Sequence, residues 1–131
     1  MYMKEGHGFH LTNKERSLSN EERQWLDKLL SFDFKGRNII NEQVDFCSVV
    51  GYCGCGCRTI DLHVDRTLPK YPFEKRIPVE MIVTPENEVP IVFYLHVVDG
   101  YINELEVFKA DSSPINQEIA IDKAIVRSNM D

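Results

Sequence analysis

The chain lacks several things, and each absence narrows the options. No apolar run among its 131 residues approaches the ~20 needed for a membrane-spanning helix, so no membrane partner is expected. The opening MYMKEGHGFHLTNKER has no apolar h-region, so a secretory leader is not expected and the cytoplasm is the expected compartment. Positive charge is in short supply: 15 basic against 21 acidic residues give a net charge of −6. A broad nucleic-acid surface needs a basic face to neutralise phosphates, so no nucleic-acid partner is expected. No P-loop, G-x-G-x-x-G, G-x-S-x-G or H-E-x-x-H occurs, which lowers the odds of an NTP-dependent, dinucleotide-dependent, α/β-hydrolase or zincin enzyme. Internal repeats and low-complexity segments are also missing.

What is there reads as an ordinary globular composition, with 43% hydrophobic and 27% charged residues, in a length that suits one domain. Residues 1–17 are polar and unpatterned, a loose arm or an added edge strand, leaving 18–131 as the domain. Ser19 opens S-N-E-E, a capping box. Trp25, Leu26, Leu29 and Leu30 then repeat on one helical face, predicting a helix over about 20–31. Gly36 is a break, and a short helix over about 37–43 follows with Ile39 and Ile40 inward.

From Val44 the period becomes two. Strands are predicted from Val44 to Tyr52, over 59–65, from Val79 to Thr84, from Val89 to Val98 and from Tyr101 to Phe108. Asp99-Gly100 is a tight-turn pair. The segment 66–76 carries two prolines and reads as an exposed loop. The tail beyond Pro114 fits a last helix or an edge strand. The expected fold class is therefore α+β, an N-terminal helix or helices packed on an antiparallel sheet of about five strands.

The most informative stretch is 53-CGCGC-57. Two strands flank it, so a hairpin is the natural connection. Common structural zinc sites use C-x2–4-C pairs from two separated knuckles, and no second pair follows here. A turn at Gly54 or Gly56 could still gather Cys53, Cys55 and Cys57, with Cys47 or a histidine as the fourth ligand, so zinc is a possible cofactor. Thioredoxin-like redox chemistry wants C-x-x-C at a helix start, which is missing. A nucleophilic cysteine would need a histidine such as His63 or His96 nearby. The simplest reading uses no cofactor: small residues in a bulged apex packed under the N-terminal helix, with buried thiols.

Three segments resemble a group of small bacterial proteins without an assigned activity: 21-EERQWLDKLL-30, 53-CGCGCRTIDL-62 and 100-GYINELEVF-108. The cysteine segment is the most specific of the three, and the group often has proline where this chain has Arg58. The resemblance implies a shared fold over about residues 20–110. The last segment is loosely similar to strands of bacterial immunity-type proteins, which implies a toxin-neutralising role by analogy of fold alone.

Candidate functional residues follow from one-faced spacing. Asp61, His63 and Asp65 share a face of the strand predicted over 59–65, and Glu104 and Glu106 share a face of the last strand. Paired carboxylates can do acid–base work, but on a strand they also make an acidic contact surface. His7 and His10 with Glu5 form a weaker candidate in the arm. The expected function is a non-enzymatic interaction protein, of immunity type in its concrete form, binding another protein such as a basic toxin by charge complementarity. A zinc-binding protein and a small hydrolase or thiol enzyme of unfamiliar type are the alternatives. Neither the partner's identity nor the oligomeric state follows from the sequence.

Overall fold

The computed structural model describes residues 9–53 and 56–129, with side chains from residue 15 onward. In chain order the elements are β1 (Phe9–Arg16), α1 (Asn20–Leu29), α2 (Arg37–Asp45), β2 (Ser48–Cys53), β3 (Ile60–His63), β4 (Val79–Val83), β5 (Ile91–Val98), β6 (Tyr101–Lys109) and β7 (Ile125–Ser128). All seven strands join one antiparallel sheet in the order β1-β2-β3-β6-β5-β4-β7.

This corrects the expected α+β arrangement of helices on about five strands. The sheet dominates, and the two helices are short, 10 and 9 residues. The two additional strands sit at its edges. β1 occupies the second half of the expected arm, pairing Phe9 with Cys53 and Arg16 with Val49 across a register shift; residues 1–8 lie outside the described residues. β7 comes from the ambiguous tail and pairs with β4, Met81 opposite Val126. Both were hard to see for one reason. An edge strand is held by backbone hydrogen bonds on one side and tolerates charges, so it need not show an apolar period. A second shift concerns α2, which runs to Asp45, so Val44 is a buried helical residue and β2 starts only at Ser48.

Helix α1 forms where the capping box requires. The Glu22 N–H donates to Ser19 Oγ at 3.1 Å and the Ser19 N–H donates to Glu22 Oε1 at 2.9 Å. Arg16 adds a bidentate pair to the same carboxylate, 2.9 Å to each oxygen. Burial raises the Glu22 pKa, but the hydrogen bonds from Arg16 and Ser19 outweigh it, and the net shift is downward. The helix places Trp25 edge-on to Phe93 of β5, ring centroids 5.3 Å apart.

Strand β5 shows how the sheet divides space. Ile91, Phe93, Leu95 and Val97 are buried, whereas Val92, Tyr94, His96 and Val98 are half-buried. The inward row belongs to one core cluster with Trp25, Leu26, Leu29, Ile40 and Val44 from the helices. Both helices therefore cover the same sheet face. Among the described residues no helix lies on the other face, which holds the candidate site.

Candidate functional site

The site is built on the β5–β6 hairpin. Its two-residue turn puts Asp99 at φ 54 and Gly100 at φ 87, the left-handed pair a tight antiparallel turn uses. The turn sets Val98 opposite Tyr101, and a bulge further along brings His96 opposite Glu104. With a side-chain period of two, His96 and Tyr94 share the open face with Glu104, Glu106 and Phe108. The rings of Tyr94 and Phe108 meet edge to face at 5.6 Å, and Tyr94 and His96 at 6.3 Å.

A cleft of about 580 Å³ lies over His96, Glu104, Glu106 and Phe108, with Thr59, Cys53 and Cys57 on another side and Ser112 and Ser113 beyond. Within it, the His96 Nε2 lies 2.7 Å from Glu106 Oε1, and the Arg76 Nε–H donates to His96 Nδ1 at 3.0 Å. Arg76 comes from the 66–76 segment, which is less loose than its prolines suggest. Tyr71 in its middle is buried. The Tyr71 N–H donates to Gly100 O at 2.8 Å, and the Val97 N–H donates to Arg76 O at 2.7 Å. Gln43 of α2, fully buried, donates through Nε2 to Pro69 O and Gly100 O at 3.0 Å each, and its Oε1 accepts the Ile102 N–H at 2.9 Å. One helix residue thus ties the segment to the hairpin that carries His96.

The expected acidic face is divided. Glu104 and Glu106 line the cleft. Asp61 pairs directly with Glu104 across β3 and β6 but is 0% exposed, so no partner can reach it without a rearrangement. His63 is exposed at the end of β3 and lines a different hollow with Glu15 and Arg66. Asp65 lies beyond the strand. Its carboxylate accepts the Thr67 N–H at 2.8 Å, and that contact lowers its pKa. The strand predicted over 59–65 ends at His63, which leaves Asp65 outside it.

Cys47 precedes β2 and Cys53 ends it, and Cys47 is not among the residues that line the cleft. Cys47 packs against the core, and burial pushes its thiol up to about 11 despite the opposing pull of Arg23. Cys53 and Cys57 do share the cleft, while Cys55 lies outside the described residues. Among the described residues no group of three or more His, Cys, Asp and Glu side chains is placed to hold a metal ion. Gly56 has φ 99, and a Cβ there would lie 3.0 Å from the Pro114 Cβ. The Ile115 N–H donates to Gly56 O at 3.0 Å, so the 110–119 segment, rather than the N-terminal helix alone, packs on this turn. The candidate at Glu5, His7 and His10 falls outside the described side chains.

Sequence reasoning passed over Arg76, and considered His96 only as a possible partner for a cysteine. The signal for His96 was present: it sits at even spacing from Val92 and Tyr94, facing away from the buried row. Arg76 carries no comparable signal, since a loop fold brings it there.

Fold and cleft together define a small single-sheet protein with one helix-covered face and one open face bearing a polar, aromatic-walled cleft. The chain belongs to the family described as a domain of unknown function, DUF6984, whose model matches residues 15–119. That span contains every described cleft residue. No curated protein and no solved structure gives a significant match. Among the described residues no helix is long and apolar enough to cross a membrane.

Proposed function

We propose that the protein is a non-enzymatic interaction protein whose open sheet face binds another protein, with Glu104 and Glu106 receiving a cationic side chain of that partner. The observation that carries this reading is the open face itself. Its cleft sets two carboxylates beside the ring of Phe108, which Tyr94 backs edge to face. A lysine or arginine side chain suits such a place, with its charge on the carboxylates and its stem on the aromatic wall. The net charge of −6 favours encounter with a basic protein. In its concrete form the reading is an immunity-type protein that neutralises a basic toxin in the cytoplasm.

The arrangement of His96 supports binding over thiol catalysis. Both ring nitrogens are engaged, one by Arg76 and one by Glu106, so neither is offered as a base to Cys53 or Cys57. The reading needs no cofactor. Zinc on the glycine-spaced cysteines would show as about one equivalent of metal in protein purified without chelator or histidine tag.

The test is co-expression with the product of the adjacent gene, followed by association kinetics with the wild-type chain and with the Glu104→Gln/Glu106→Gln double variant. Slower association with a flatter salt dependence in the double variant is expected. Unchanged association with a neighbour that binds would move the contact off this face. A neighbour that neither harms the host nor binds would remove the toxin-neutralising form.

A further inference from the structure

We propose that the cleft is gated by the charge of His96: the neutral ring holds Arg76 at the cleft wall, and a protonated ring releases it. The gate rests on the interaction reading above only for what it serves; its chemistry stands on the geometry of three side chains.

A guanidinium has donors and no acceptor, and it keeps its charge in proteins. Its Nε–H points at His96 Nδ1 from 3.0 Å, so Nδ1 must carry a lone pair. The hydrogen of the neutral ring is then on Nε2, 2.7 Å from Glu106 Oε1, where it is donated to the carboxylate. One tautomer satisfies both contacts, and the other satisfies neither. A second proton can enter only at Nδ1. There it removes the acceptor and sets two donors, both cationic, against each other. The Glu106 contact becomes a charge-assisted bond and holds the ring, so Arg76 is the group that leaves. Its backbone is fixed by the Val97 N–H, which confines the movement to the exposed side chain.

Other charged and titratable groups surround the ring. Glu104 of β6 stands opposite His96, and Asp61 of β3 stands opposite Glu104. Tyr94 of β5 presents its ring edge, and the thiols of Cys53 and Cys57 line the same cleft. Arg76 is the cation packed against the ring. With the neutral ring, two carboxylates and one guanidinium line the cleft; with the charged ring the imidazolium takes the place of the departing guanidinium, so the gate changes which cation stands at the wall and how open the wall is. Histidine changes charge between about pH 5 and 8.

The experiment is an NMR titration of the isotopically labelled full chain from pH 8 to pH 5, following the His96 ring nitrogens and the Arg76 Nε resonance. At pH 8 the ring should carry its hydrogen on Nε2, and the Arg76 Nε shift should move with the same midpoint as the ring. In His96→Asn, whose amide oxygen stays an acceptor at every pH, the Arg76 resonance should not move. Should that variant fail to fold, Glu106→Gln leaves Nδ1 available and should keep the paired movement. A hydrogen on Nδ1 at pH 8, or an Arg76 resonance that stays still while the ring titrates, overturns the proposal. Binding to the neighbouring gene product is measured separately at pH 8. Loss of that binding sinks the interaction reading and leaves the gate; an immobile Arg76 sinks the gate and leaves the interaction reading.

Discussion

The two faces of the sheet come from the same strands and are opposite in physics. On the covered face, Phe93, Leu95 and Val107 are fully buried against the two helices and the segment carrying Ile115 and Ile119. On the open face, one residue further along each strand, Tyr94, His96, Glu106 and Phe108 are half-buried and make polar or edge-to-face contacts. Burial of apolar area stabilises in proportion to the area removed from water, so the covered face supplies most of the stability. The open face contributes little to folding and can carry charge. A period of two lets one strand serve both needs, and the division of labour points to the open face as the functional one.

The sharpest way to break this comparison is to truncate an aromatic on each face. Phe93→Ala should cost about 3–5 kcal/mol, because it opens a cavity against Trp25. Phe108→Ala should cost less than about 1 kcal/mol, since its side chain is already partly in water. Urea denaturation of both variants measures the difference, and similar losses would mean that the open face is a second core. Next in size is Gln43→Ala. It removes the Gln43 bonds to the Pro69 carbonyl and the Ile102 N–H, while Gly100 O keeps the Tyr71 N–H, at a cost of about 2–3 kcal/mol. The same variant should loosen the 66–76 segment, seen as faster amide exchange at Tyr71.

A smaller effect concerns the helix start. The Glu22 pKa is lowered on folding, with the Arg16 and Ser19 bonds overcoming burial. A lowered folded pKa means stability that is present above the unfolded carboxyl value and is lost as pH falls through the folded one. Wild-type protein should therefore lose stability below about pH 4 more steeply than Glu22→Gln, by chemical denaturation at a series of pH values. Arg16 is 44% exposed, so solvent screens much of its share. The smallest effect separates the thiols. With Cys47 pushed up to about 11, its reaction with a disulfide reagent at pH 8 should be at least about tenfold slower than that of Cys53 and Cys57. The raised pKa also means that its contribution is intact at neutral pH and is lost as pH rises from about 9 toward 11. Equal rates in native buffer would place Cys47 at the surface.

Local chemistry made several elements legible in the chain. The Ser19–Glu22 box starts α1, the Asp99-Gly100 pair turns β5 into β6, and strict alternation marks β5, because each of these depends on neighbours within a few residues. The same locality explains what stayed hidden. β1 has no apolar rhythm because its backbone does the pairing. Val44 reads equally well as strand or helix until α2 is seen to bury it. Asp61 alternates like a surface residue, yet it lies fully buried beside Glu104. The composition and local patterns by themselves determined an acidic chain with a capped first helix and a tight β5–β6 hairpin. Only the tertiary structure decided which strand face would be left open, and only it brought Arg76, His96 and Glu106 together from 76, 96 and 106. Hydrogen bonds of 2.7–3.0 Å across such separations need a loop pinned by Gln43 and a bulged register between strands. Both are set by packing, which no short stretch of sequence contains.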